Sequence, residues 1–129
     1  MGTGHDFLNR HSCNGEGILI RTTLLKGAVW DLNDSRGFGS PGGSVRVGAG
    51  MTFSELAYEA RTNGRVVSQG WGITVGIVGW SLGGGHGPFA NSLGMGVDNI
   101  LEVRQRTSCR FTNLAPHLIH ISSRIFTTL

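Results

Sequence analysis

The chain has 129 residues, room for one domain, with 39% hydrophobic and 15% charged residues and 22 glycines. That is globular, but charge-poor and glycine-heavy beside the usual ~25% charged and ~7% Gly. The net charge of +3 resides in Arg106, Arg110 and Arg124, because the first 105 residues carry 8 basic against 8 acidic side chains. With no stripe of Lys/Arg interleaved with aromatics, nucleic-acid binding is not expected.

Gly2-Thr3-Gly4-His5-Asp6-Phe7 reads as the interior of a loop rather than the opening of a domain. Ile18 to Thr22 reads as a short strand, Leu24 to Gly27 as a turn, and Asn33 to Gly43 as a loop by composition. A strand follows, with Val45, Val47 and Ala49 alternating with Ser44, Arg46 and Gly48. Thr52-Phe53-Ser54-Glu55 is a capping box, and Phe53, Leu56, Ala57 and Ala60 recur at helical spacing, so a helix is predicted over about 53–63 with Gly64 at its end. Arg65 to Ser68 reads as a strand. Thr74 is placed to cap a short helix through Leu82, ended by Gly83-Gly84-Gly85, and Pro88 to Leu93 forms one further turn stopped by Gly94. Val97 to Arg104 reads as a strand with Asn99, Leu101 and Val103 on one face. From Arg106 onward there is no glycine and no acid, and a strand is allowed at Leu118 to Ile121. This segment reads as an aberrant end, such as intron read-through or a shifted frame; the alternative is a genuine but divergent terminus.

Between Ile73 and Leu101 lie eight glycines, at 76, 79, 83, 84, 85, 87, 94 and 96. An interior Gly costs roughly 0.5–1 kcal/mol relative to Ala, so such crowding implies positive φ or a backbone pressed against something. The apolar residues between them separate the stretch from a flexible linker and suggest a wall against a ligand. Consecutive glycine N–H groups make concave anion sites, and a diphosphate suits one. No Lys-Ser or Lys-Thr follows, so this is not a P-loop, and no G-x-G-x-x-G opens a helix after a strand. Cys13 and Cys109 form neither a disulfide framework nor a zinc pattern, and the histidines lack ligand spacing, so no metal is expected. No apolar run reaches ~18 residues and no leader-like pattern opens the chain, so neither a membrane span nor a signal peptide is expected; the compartment stays open.

Gly70 to Phe89, followed by Leu93 to Glu102, resembles the FAD-binding domain of FAD-linked oxidoreductases, the PCMH-type domain of the vanillyl-alcohol-oxidase superfamily. The likeness is to the fungal berberine-bridge-enzyme-like kind. Gly2 to Arg10 resembles that domain's flavin-attachment loop, and Ser44 to Val67 the strand-helix-strand between the two motifs. The resemblance implies an α+β fold with a mixed sheet flanked by short helices, and a partial FAD-binding domain over 1–105 with a non-matching tail at 106–129. It implies that His5 is the histidine often bonded to the flavin ring, and that Gly2, Thr3 and Gly4 follow the diphosphate. Thr74, Val75, Gly76, Gly79, Gly83, Gly84 and Gly85 would line the cofactor, and Asp98 and Asn99 would begin a flanking strand. Gly72 stands where bicovalent members carry cysteine, so a thioether is excluded. His86 either caps the glycine turn or packs near the flavin, and no catalytic residue is assigned. The implied activity is oxidation of a small organic substrate with dioxygen as acceptor, in a protein truncated here at both ends and commonly secreted in this family. The competing expectation is a non-catalytic remnant that holds FAD weakly or not at all.

Overall fold

The computed structural model describes residues 1–12, 16–36 and 42–104 in full, and the backbone of 118–122. Four strands form one sheet: β1 (Ala28–Asp31), β2 (Ser44–Gly48), β3 (Ile100–Arg104) and β4 (Leu118–Ser122). Their spatial order is β1-β2-β4-β3, and each described pairing is antiparallel. The α+β class is therefore as expected, but the pairing is antiparallel rather than mixed. β1 folds back on β2, and β4 inserts antiparallel between β2 and β3, so the two strands joined by the helical crossover are not hydrogen-bonded neighbours. β4 lies between β2 and β3, with Val45 opposite Ile121 and Val103 opposite Ile119. So part of the glycine-free tail is an inner strand of the sheet; the other tail residues lie outside the described ones.

Val45 and Val47 of β2 point to one face and are fully buried. On them pack Phe53, Leu56 and Ala60 of α1 (Phe53–Thr62), together with Met51, Val67 and Ile77. The 53, 56, 60 spacing gives α1 a single apolar stripe. Burying each large side chain contributes about 1.5–3 kcal/mol. At the start of α1 the Thr52 N–H donates to Glu55 Oε2 at 2.8 Å, the reciprocal half of a capping box. Lys26 Nζ ties the same carboxylate to the loop before β1, at 2.7 Å from Oε1 and 2.7 Å from the Gly50 carbonyl. α1 ends one residue earlier than predicted, with Gly64 at φ +63° beyond it.

α2 (Ile77–Leu82) begins later than the sequence suggests, and its N-cap is Gly76, not Thr74. The preceding carbonyls are already in use. Val75 O accepts the Phe53 N–H at 3.1 Å and Ile73 O accepts the Ser54 N–H at 2.9 Å. This stitches the segment before α2 to the first turn of α1. α3 (Ala90–Leu93) is the short turn expected, stopped by Gly94 at φ +80°. Val97–Asn99 is a 3-10 turn rather than strand, because Asn99 Nδ2 donates to the Leu93 and Met95 carbonyls at 2.9 and 2.7 Å and needs a tight bend to reach both. Neither Ile18 to Thr22 nor Arg65 to Ser68 is a strand. No described helix is long and apolar enough to cross a membrane.

Candidate functional site

The amino-terminal loop lies against the segment that leads into α2. Two side-chain bonds join them across some seventy residues of sequence. The Gly76 N–H donates to Thr3 Oγ1 at 3.0 Å, and His5 Nε2 is 2.9 Å from Thr74 Oγ1. The loop's outer end is fixed by the Met1 ammonium on the Ile20 carbonyl at 2.6 Å and by the Thr22 N–H on the Met1 carbonyl at 3.0 Å. Those bonds occupy the Ile20–Thr22 backbone that would otherwise seek a sheet partner, so this apolar run stays extended without becoming a strand.

Between the two segments is a cleft of ≈ 490 Å³, within the roughly 300–1,000 Å³ range of small-molecule sites. Gly2, Thr3, Gly4 and His5 form one wall, and Val75, Gly76 and Gly79 the other. The wall is bare for physical reasons. A Cβ on Gly76 would sit 3.3 Å from Thr3 Oγ1, so the close approach of the two segments favours glycine there. Gly4 has φ +85°, and the space beside Gly79 is open. The N–H groups of Gly2, Thr3, Gly4 and His5 have no acceptor among the described residues. Backbone donors without a protein acceptor are the kind of group that can serve an anion.

The cleft is also lined by residues that the sequence reading did not assign to a site: Trp80, Thr22, Ala49, Asp6 and Arg10. Asp6 accepts from Arg10 Nε at 2.9 Å, Arg10 Nη2 at 3.0 Å, and the Arg10 and Leu8 N–H groups at 3.0 and 3.3 Å. The Arg10 guanidinium holds the Asp6 carboxyl from the ordinary 3.8 down to about 2. The acid beside the cleft is thus matched by a cation and does not oppose an anionic ligand by itself. The Asp6-x-x-x-Arg10 spacing was the available signal, but a loop gives no periodicity from which to read it.

A family model described as FAD binding domain matches residues 1–108. The chain belongs to that family. It is 41% identical over 103 residues to FAD-linked oxidoreductase ZEB1 of Gibberella zeae, covering 78% of this chain and 17% of that protein. It is 36% identical over 110 residues to aurantioclavine synthase cnsA of Penicillium expansum, covering 82% of this chain and 24% of that protein. Among solved structures it resembles the VAO-type flavoprotein MtVAO615 of Myceliophthora thermophila C1, with a TM-score of 0.65 and 23% identity over 81% of this chain and 23% of that one. The chain therefore spans only about a fifth of the length of these relatives. The expected kinship with FAD-linked oxidoreductases holds, and the fold is that seen in a VAO-type flavoprotein.

This FAD binding domain does not gather every residue assigned from sequence. Gly2, Thr3, Gly4, His5, Val75, Gly76 and Gly79 line the cleft, and Thr74 meets it through His5. Gly83 caps the far end of α2, and Gly84 follows at φ +98° with open space beside it. Gly85 is buried under Trp80 and Gly96: a Cβ there would lie 2.6 Å from the Gly96 Cα. Asp98 Oδ2 accepts the Met95 N–H at 2.8 Å, and Asn99 clamps the same bend. These five shape the 83–99 turns and do not line the cleft. Gly72 also lies off it, with its Cβ position 2.9 Å from Val75 Cγ2. His86 offers its carbonyl to Trp80 Nε1 at 2.9 Å.

The residues present fit a flavin dinucleotide in kind: N–H donors with no acceptor among the described residues, backbone without Cβ on both walls, and an imidazole in the lining. FAD would supply a two-electron acceptor. Gly2 to His5, Gly76 and Gly79 are the residues that would bind and orient it.

Proposed function

We propose that this chain is the FAD-holding part of an oxidoreductase that oxidises a small organic molecule, such as an alcohol, a sugar or a secondary metabolite, and returns the electrons to dioxygen. In this reading His5 is the attachment residue for the cofactor, and Gly72 leaves a histidyl link as the one covalent bond. The observation that carries it is the cleft itself, where the attachment loop and the Thr74-Val75-Gly76 segment meet through the His5–Thr74 contact. The cofactor performs the redox chemistry; the protein contributes position and electrostatics.

A second reading is favoured by the small share of its relatives that the chain spans: residues 1–129 alone bind FAD weakly and do not turn over. One experiment separates the two. The chain is produced with excess FAD, desalted, and scanned for protein-bound absorbance in the flavin bands. Retained colour that survives acid precipitation, and is lost in His5→Ala, is the expected result for the first reading. A folded but colourless protein supports the second and overturns FAD retention by this segment.

A further inference from the structure

One short motif lies outside the cleft. Of the asparagines in the sequence, only Asn33 is followed two residues later by serine or threonine, in Asn33-Asp34-Ser35. That spacing, with a middle residue other than proline, is the acceptor pattern for N-linked glycans. It falls in the turns just after β1, and the fold sorts its three side chains. Asp34 is the inward one: it is 8% exposed, and its carboxylate accepts from Ser44 Oγ at 2.6 Å and from Arg36 Nη2 at 2.8 Å. Asn33 and Ser35 are both exposed, and neither side chain has a hydrogen-bond partner among the described residues. We propose that Asn33 is an N-glycosylation site, with Ser35 as the hydroxyl that marks it.

The backbone here is held by side chains other than those of the acceptor pair. The Asn33 N–H donates to Asp31 Oδ1 at 3.1 Å and the Arg36 N–H to Asp34 Oδ1 at 3.0 Å, two Asx turns in succession. A sugar on the Asn33 carboxamide therefore breaks no contact among the described residues. Its position also keeps it clear of the ligand space. Asp31 pairs with Ser44 at one end of β2, and Ala49, which lines the cleft, lies just beyond the other end. The five residues of β2 rise roughly 17 Å in all. The donor is an oligosaccharide carried on a lipid diphosphate in the lumen of the secretory route, so the proposal requires the chain to pass through it. Asn33 Nδ2 bonds to the anomeric carbon, and that carbon's bond to the diphosphate oxygen breaks. One Nδ2 proton is released, and the lipid diphosphate departs with the bonding pair.

The test produces the full chain behind a cleavable secretion leader in yeast and scores both the cell membranes and the medium, so that a retained chain still counts. The expected result is a heavier band that peptide N-glycosidase returns to the unmodified mobility, with deamidation of Asn33 read by mass spectrometry. Asn33→Gln and Ser35→Ala should each abolish the shift, and Ser35→Thr should keep it. These are exposed side chains without contacts among the described residues, so the variants should fold as the native chain does, which circular dichroism checks. The glycosylated chain should melt no lower than Asn33→Gln. None of these readouts needs bound FAD, so they stand apart from the reading of the cleft. An unmodified chain in both fractions, or a shift that persists in Asn33→Gln, overturns the proposal. A glycosylated chain that melts below Asn33→Gln also counts against it, because the turn would then not accommodate the sugar.

Discussion

Gly96→Ala isolates what the glycines around α2 are for. Gly96 is buried, and its φ of −56° and ψ of −39° suit any L-residue, so the backbone gives no reason for glycine. The reason is Trp80: a Cβ would meet its indole ring, 2.8 Å from Cη2 and 2.9 Å from Cε3. The indole cannot easily yield. It packs edge-on to Phe53 with centroids 4.9 Å apart at 85°, and its Nε1 donates to the His86 carbonyl at 2.9 Å. Overpacking of a fixed ring costs about 1–3 kcal/mol, against about 0.4–1 kcal/mol gained by removing glycine's freedom in the unfolded chain. The net is a loss of about 1–2 kcal/mol, read as a fall of roughly 4–10 °C in Tm for a domain of this size. Urea melts followed by far-UV circular dichroism would give the free energy. In a Trp80→Leu background the clash is gone, so Gly96→Ala should become neutral or mildly stabilising, a coupling of about 1–2 kcal/mol. Gly85→Ala is the control: at φ +74° it should stay costly in both backgrounds. An equal penalty for Gly96→Ala with and without Trp80 would refute the reasoning.

Removing residues 106–129 takes away β4, the described pairing partner of β3 and the second partner of β2. Amide exchange at Ile100 to Arg104 should rise to that of an unpaired segment, and that at Val45 and Val47 should rise less, since β1 still pairs with β2; unchanged protection across β3 would show that β4 is dispensable. Acid should loosen the amino-terminal loop in a defined window. The folded pKa of Asp6, held down to about 2 by Arg10, lies below its ordinary 3.8, so the loop's stabilisation is full above about pH 4 and is lost as pH falls through about 2. The Leu8 and Arg10 amide resonances should therefore hold steady from neutral pH to about pH 4 and move below it, and Asp6→Asn should abolish that movement; movement centred near the ordinary carboxyl value would contradict it. Asp34, held down by Arg36 and Ser44, works in the same direction.

What the sequence made legible was whatever its neighbours along the chain decide. Thr52 and Glu55 are three residues apart, so the start of α1 could be read directly; Gly64 and Gly94 mark ends for the same local reason. Ala28–Asp31 was not read as a strand, because its four residues become one only by pairing with Ser44–Gly48 across a loop. Ile18 to Thr22 has the better strand composition and is not one, since Met1 takes its hydrogen bonds. Thr74 looked like a helix cap, and its hydroxyl went to His5 instead. Each of these outcomes was settled by a residue distant in sequence, which no local pattern encodes.

The glycines make the same point at the site. Sequence can say that many main-chain positions here exclude Cβ, but not what excludes it. Three of them, Gly70, Gly85 and Gly96, clear Trp80, and Gly76 clears Thr3. The crowding is thus mostly protein against protein, with bare backbone at Gly79 left facing the cleft. These two uses are connected. Trp80 lines the cleft and is gripped by glycines from the 70, 85 and 96 regions, so the turns after α2 act on the ligand space by fixing one ring. Gly83, Gly84, Gly85, Asp98 and Asn99 shape those turns and are not among the residues that line the cleft. Substitutions there should change stability and cofactor retention together, whereas substitutions at Gly79 or His5 should change retention with the fold intact.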